Sequence, residues 1–336
     1  MLSFCTLFDV NYLSRGLALY SSLIRHEGNA ELYVYCLDKQ THDVLTRLGL
    51  PGLKPVAMEE FESPELLAVK PSREVGEYCW TCTPHVIRHA IRRFELSAIT
   101  YVDSDLYFYC SPMSLLDEWD KSGASVLITE HRYTPRFDNS RLFGTYCVQF
   151  ITFRANAAGM VVLDWWADRC LEWCFARAED GKFGDQKYLD DWPARFAGVH
   201  VLQHLGGGVA PWNVQQYQVS NAEGQSVRLQ ELSTGKCFPL VFYHFHGLQI
   251  FTDGEIDLST YPMGEDVRIE VYGRYLDGLR EVAKLLVPLI SNESIHGLRH
   301  RPSGAMAQLQ NFKRRIERRL SGALNVMRVS DLRTLR

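Results

Sequence analysis

An α/β fold built on a mostly parallel sheet is what this sequence predicts, and three observations carry the prediction. Short apolar runs rich in β-branched and aromatic residues alternate with amphipathic stretches, the pattern of strands joined by crossover helices. Acidic and amide residues follow several of these runs directly, at the end where open α/β sheets bind ligands. The chain has 336 residues, 46% hydrophobic and 23% charged, enough for a large core and too ordinary for a collagen-like, disordered or disulfide-scaffold protein.

The elements follow in order. Ser3 to Phe8 reads as a strand, leading through Asp9, Asn11 and Tyr12 into a helix with Leu13, Leu17, Tyr20, Leu23 and Ile24 on one side. Leu32 to Leu37 is a second strand, followed by Asp38 and a helix that ends near Gly49. A Pro- and Glu-rich connection comes next, after which Thr83 as N-cap and Pro84 in the first turn predict a helix carrying Val86, Ile87, Ala90, Ile91 and Phe94. Ile99 to Val102 is a strand that runs into Asp103-Ser104-Asp105. Further strands are expected at Ser125 to Thr129, Val148 to Phe153, Val199 to Gln203 and Leu240 to Tyr243, with a Trp-rich helix from about Ala158 to Phe175 and a short one from Tyr188 to Phe196. The body extends to residue 262, and residues 263–336 form a helical extension with segments near 265–291 and 304–327.

Nine cysteines without small-domain spacing predict reduced thiols and a cytoplasmic protein. The start MLSFCTLFDV has no basic region and Asp9 interrupts its apolar run, so no signal peptide is expected. No apolar run reaches the length of a membrane span. The net charge of −4 hides an asymmetry: residues 297–336 hold ten Lys/Arg against Glu317 and Asp331, a net of +8, leaving −12 on residues 1–296. Leu309, Phe312, Ile316, Leu320 and Ala323 or Leu324 recur at three- and four-residue spacing among Lys313, Arg314, Arg315, Arg318 and Arg319. This basic amphipathic helix suits either the surface of an anionic membrane or docking on the acidic body with its apolar stripe buried.

Several constellations could carry chemistry. Asp103 and Asp105 leave a buried strand two residues apart, so two hard oxygens could share a divalent cation, although the same pair suits a turn or a helix cap. His244 and His246 follow another apolar strand, and an imidazole could complete a mixed O/N site suited to manganese. Gly184-Asp185-Gln186 puts an Asp and a Gln at the start of a short helix, where Asp185 as a plain N-cap is the simpler role. Gly206-Gly207-Gly208 lacks the spacing of a dinucleotide or P-loop motif, and Cys79-Trp80-Thr81-Cys82 has no second pair to close a zinc site.

Taken in order, Phe8-Asp9-Val10-Asn11-Tyr12, Asp103-Ser104-Asp105, Gly184-Asp185-Gln186 and His244-Phe245-His246-Gly247 resemble the nucleotide-diphospho-sugar transferases, and more narrowly the retaining family 8 glycosyltransferases. The resemblance covers roughly residues 3–250. It implies a GT-A type fold, with a mixed, mostly parallel sheet flanked by helices, and a DXD motif that binds Mn2+ or Mg2+. It further implies a UDP-sugar donor and transfer with retention to a glycan or lipid-linked acceptor, with no nucleic acid as partner. By that resemblance Asp103, Asp105 and His244 would hold the metal. Asp9, Asn11 and Tyr12 would hold the uridine, Gly247 would complete the His-x-x-Gly pattern, and Asp185 and Gln186 would lie by the transferred sugar. The chain departs from the family at Gln249 and Ile250, where a diphosphate-binding Lys is usual, at Cys147 and Gln149, where Asn and Gly are common, and at Val10, which replaces a second acid.

Two other classes remain at this point. A metal-dependent nucleotidyltransferase or phosphohydrolase would need a phosphate-binding loop after the first strand, and Asp9 to Tyr12 is not one. A non-catalytic scaffold would not need all three metal-ligand candidates that this chain keeps.

Overall fold

The computed structural model describes residues 2–224, 226–291, 295–301 and 303–328. Asp331, Arg333 and Arg336, part of the charge asymmetry, lie outside the described residues.

Seven strands form the central sheet: β1 (Ser3–Phe8), β2 (Glu31–Cys36), β3 (Leu53–Ala57), β4 (Ala98–Val102), β6 (Val126–Glu130), β7 (Tyr146–Arg154) and β8 (Val199–Val201), in the order β3-β2-β1-β4-β7-β6-β8. All neighbours run parallel except β7, which is antiparallel to both β4 and β6. The sheet is mixed and mostly parallel, as expected. β1 shows why its sequence reads as a continuous apolar run: Phe4 and Phe8 face one core, Cys5 and Leu7 the other, as in a sheet covered on both faces. Helices Leu13–His26 and Gly273–Leu286 pack together over the first face, Val75–Arg93 and Ala157–Glu172 over the second.

β5 (Leu106–Phe108) stands outside this sheet and pairs antiparallel with β12 (Phe242–His244), matching His244 with Leu106. The stretch expected as a strand near Leu240 to Tyr243 thus serves a two-stranded ribbon rather than the main sheet. Two further small sheets escape the sequence reading. One joins β9 (Tyr217–Glu223), β10 (Ser226–Glu231) and β11 (Cys237–Pro239). The other joins β13 (Gln249–Ile250), β14 (Glu255–Asp257) and β15 (Val326–Arg328). Their strands are short or partly exposed, so their hydrophobic signal is weak.

Two boundaries differ from expectation. The helix that Thr83 and Pro84 were to open begins nine residues earlier, at Val75, and carries Pro84 in its interior. Glu74 and Glu77 form its capping box, the Glu74 N–H donating to Glu77 Oε2 at 2.9 Å, and burial of Tyr78, Cys82, Val86 and Ile87 outweighs the roughly 3 kcal/mol an interior proline costs. The helix expected from Tyr188 to Phe196 is a 3-10 turn, Lys187–Asp191, followed by one turn, Trp192–Arg195.

The C-terminal helix, Ala305–Leu320, contradicts the expectation that docking buries its apolar stripe. Arg315 pairs with Glu255 at 3.0 Å, and Arg318 donates to Asp257 at 2.7 Å and to the Ser259 carbonyl at 2.6 Å. The helix therefore meets the body through cations, while Leu309, Phe312, Ile316 and Leu320 are 62%, 63%, 44% and 84% exposed. No helix among the described residues is long and apolar enough to cross a membrane.

Candidate active site

The cleft lies at the carboxyl end of β1 and β4, a cavity of about 580 Å3 lined by Asp9, Tyr12, Asp103, Asp105, Asp185, Gln186, His244 and His246 among others. That is within the size range of small-ligand sites.

Three elements converge on its centre. β4 ends at Val102, and Asp103 is fixed by its N–H donating to the Gln149 carbonyl of β7 at 3.0 Å. Tyr101 donates its hydroxyl to Asp103 Oδ1 at 3.1 Å. Asp105 precedes β5, whose antiparallel partner β12 delivers His244 beside it: His244 Nε2 lies 3.1 Å from Asp105 Oδ1 and 3.7 Å from Asp103 Oδ2. On the other side of the ring, His244 Nδ1 lies 2.9 Å from Gln149 Oε1. An amide oxygen can only accept, so Nδ1 carries the proton and Nε2 faces the carboxylates.

This donor set fits a divalent cation. With metal–ligand bonds of about 2.1 Å, adjacent ligand atoms sit about 3 Å apart, which matches the His244–Asp105 spacing, and Gln149 fixes the tautomer as hydrogen-bond acceptors behind metal-bound histidines do. Without a cation, the imidazole supplies the positive charge itself. Burial opposes that charge, but Asp105 and Asp103 hold the His244 pKa well above its usual range. Burial also presses Asp105 upward, yet the His244 charge and hydrogen bond bring it below the ordinary carboxylate range. Asp103, farther from the imidazole, is raised by burial despite His244.

The loop at Phe183 to Gln186 forms another wall. Trp166 donates its indole N–H to the Asp185 carbonyl at 2.9 Å, and the Gly184 N–H donates to Phe175 at 3.0 Å. Gly184 has φ of +52° and packs against the Trp80 ring. Asp185 is not the N-cap; Gln186 holds that position, and its Nε2 donates to the Phe143 carbonyl at 2.8 Å, fixing the carboxamide. Asp185 is buried, and desolvation, followed by the Asp103 charge, pushes its pKa up to about 8.

At the opposite end, Asp9 caps the turn Val10–Tyr12, accepting from the Asn11 N–H at 3.0 Å and Asn11 Nδ2 at 2.9 Å. Asp9 and Tyr12 line the cavity, whereas the Asn11 amide is engaged by Asp9. Gly247 is exposed with φ of +79°, a turn that only glycine takes without strain, and it is not among the lining residues. The Gly206 to Gly208 run does not line the cavity either; Gly207 packs on Leu202 and Leu115, and Gly208 on Thr129 and Gln149.

Sequence reading passed over Val75, Gly76 and Trp80, which line the cleft from the helix that starts early, and over Trp212, Tyr133, Phe143 and Tyr261. The capping pattern Glu74 to Glu77 was the signal available for the first group. Gln149 was legible only as a departure from a family pattern, not as the partner of His244.

No family model matches the chain. Two proteins of Bacillus subtilis strain 168 do: YfnF, 34% identical over 262 residues, covering 76% of this chain and 84% of YfnF, and YfnD, 31% identical over 271 residues, covering 78% and 83%. Among solved structures, the galactosyltransferase LgtC in complex with donor and acceptor sugar analogues superposes with a TM-score of 0.53 at 10% identity, covering 83% of this chain and 96% of LgtC. An active-site mutant of LgtC gives a TM-score of 0.50 at the same identity.

Proposed function

We propose, from the premise that this chain belongs to the family of YfnF and YfnD and has the GT-A fold, that it is a metal-dependent glycosyltransferase. In this reading it moves a sugar from a nucleotide-diphosphate sugar, a UDP-sugar, to a glycan or lipid-linked acceptor with retention of configuration. The observation that carries the reading is the convergence of Asp103, Asp105 and the tautomer-fixed His244 in one cavity with Asp185 and Gln186.

Glycosyl transfer from a diphosphate needs charge where the leaving group departs, and a divalent cation, Mn2+ or Mg2+, held by Asp103, Asp105 and His244 supplies it when bound. Asp9 and Tyr12 receive the nucleoside at the β1 end. Asp185, buried at the cleft wall, offers a hydrogen bond to the sugar. Gln186, its amide anchored on Phe143, keeps a neutral oxygen-bearing group near the anomeric carbon as positive charge develops there.

Residues 304–327 complete the reading as a peripheral contact with an anionic membrane surface on the cytoplasmic side, next to a lipid-linked acceptor. The outward stripe supports it. Burying a large apolar side chain contributes about 1.5–3 kcal/mol, and four such side chains stand exposed on this helix. The helix thus leaves favourable burial unrealised on Leu309, Phe312, Ile316 and Leu320 while its pairs to Glu255 and Asp257 hold it on the body. Lys313 and Arg319 flank that stripe at helical spacing.

The test is a screen of nucleotide sugars with manganese, read by thermal shift and by release of nucleotide. The reading expects one UDP-sugar to stabilise the protein and to be cleaved slowly without acceptor, with Gln186→Ala lowering kcat more than UDP affinity. No shift with any nucleotide sugar overturns it.

A further inference from the structure

The geometry points to His246 as a fourth protein ligand of the same cation, which makes the site selective for a transition-metal dication over Mg2+. We propose this assignment on the reading given above, that the cleft holds a divalent metal.

The chain alternates sides after β12. Phe245 is buried and stacks on Tyr275 with ring centroids 3.7 Å apart, against Tyr272 at 4.9 Å. The strand ends at His244, Phe245 is held in the core, and the chain turns at His246 and Gly247, which leaves His244 and His246 both lining the cavity. The turn at Gly247 then returns the chain to the core, with the Leu248 N–H donating to the Phe245 carbonyl at 3.2 Å. Arg15 donates to the Leu248 carbonyl at 3.3 Å and to the His296 carbonyl at 2.9 Å, which anchors the turn. Trp212 stands edge-on to both imidazoles, at 5.3 and 5.7 Å between centroids. Ligand atoms of Asp105, His244 and His246 lie within 4.8 Å of one another, close to the roughly 4.2 Å that opposite ligands of one ion span.

Asp103 stands outside this group, with its Oδ2 3.7 Å from His244 Nε2, so the cation would be offered two carboxylates and two imidazoles if Asp103 joins the three clustered ligands. A set of two carboxylates and two imidazoles suits Mn2+ or Co2+, whereas Mg2+ prefers oxygen ligands and keeps its waters.

The test uses full-length protein with Mn2+ and UDP. Electron spin echo envelope modulation of the bound Mn2+ should show two coupled imidazole nitrogens in the wild type and one in His246→Gln. In parallel, His246→Gln should weaken Mn2+ and Co2+ binding by about tenfold or more and Mg2+ binding far less. His246 is exposed, so the variant is expected to fold, and the wild-type spectrum needs no variant. One coupled nitrogen in the wild type, or an unchanged preference for Mn2+ over Mg2+ in the variant, overturns the assignment while the three-ligand site stands. No bound Mn2+ in the wild type overturns both.

Discussion

In the cleft, charged side chains point into a cavity and apolar ones into two cores, whereas the C-terminal helix turns its arginines onto the body and its apolar stripe away from it. Both regions are amphipathic, and both are held by ion pairs. The difference lies in what each has to offer a partner. The cleft presents Asp103, Asp105 and two imidazoles, which suit an ion and an anionic ligand. The helix has its cations partly engaged by Glu255 and Asp257 and presents hydrocarbon instead. Amphipathicity alone therefore does not say which face a helix docks with; the charge of the surface it meets decides.

The strongest way to break this comparison is on the cleft side. Asp103→Ala and Asp105→Ala should each lower transfer by about a thousandfold with the circular dichroism spectrum unchanged. Either variant retaining full activity would remove the metal role from the pair.

The helix side is sharpened by vesicle sedimentation. Wild-type protein should bind anionic vesicles and lose binding at high salt, since each cation near such a surface contributes only about 1 kcal/mol and is screened. Phe312→Glu together with Ile316→Glu should abolish binding yet leave donor hydrolysis in solution intact, because the pairs of Arg315 and Arg318 remain. Binding of this double variant at the wild-type level would assign the stripe to something other than lipid.

The smallest effect concerns Asp185, whose folded pKa of about 8 reflects burial and then Asp103. In the unfolded chain it ionises near ~4. The metal-free native state holds the extra proton between those values, so its stability falls as pH rises from about 4 to about 8 and levels off above. Asp185→Asn cannot ionise, so its gain in Tm should grow from nothing near pH 4 to a maximum near pH 8. A gain independent of pH would contradict the assigned cause.

Legibility in the sequence followed the physics of each element. β1 and β4 were readable because strands buried on both faces are continuous apolar runs, and their acidic ends marked the cleft. The helix from Val75 was misplaced because Thr83-Pro84 reads locally as a helix start, and only the capping pair Glu74 and Glu77 with long-range burial overrides it. His246 was visible in the sequence but its side of the chain was not, because that depends on Phe245 finding Tyr272 and Tyr275, residues far along the chain. The same holds for Gln149, whose contact with His244 spans 95 positions. For the C-terminal helix, periodicity gave both faces and no direction, since the acidic partners Glu255 and Asp257 come from a small sheet that sequence patterning does not reveal.

The central claim, that Asp103, Asp105 and His244 hold a cation through which the cleft takes a nucleoside diphosphate, is tested most directly by titrating UDP into the protein calorimetrically with and without Mn2+. The account predicts tight binding with Mn2+, clearly weaker binding without it, and no Mn2+ dependence in Asp105→Ala. Equal UDP affinity in the presence and absence of Mn2+ in the wild type would contradict it.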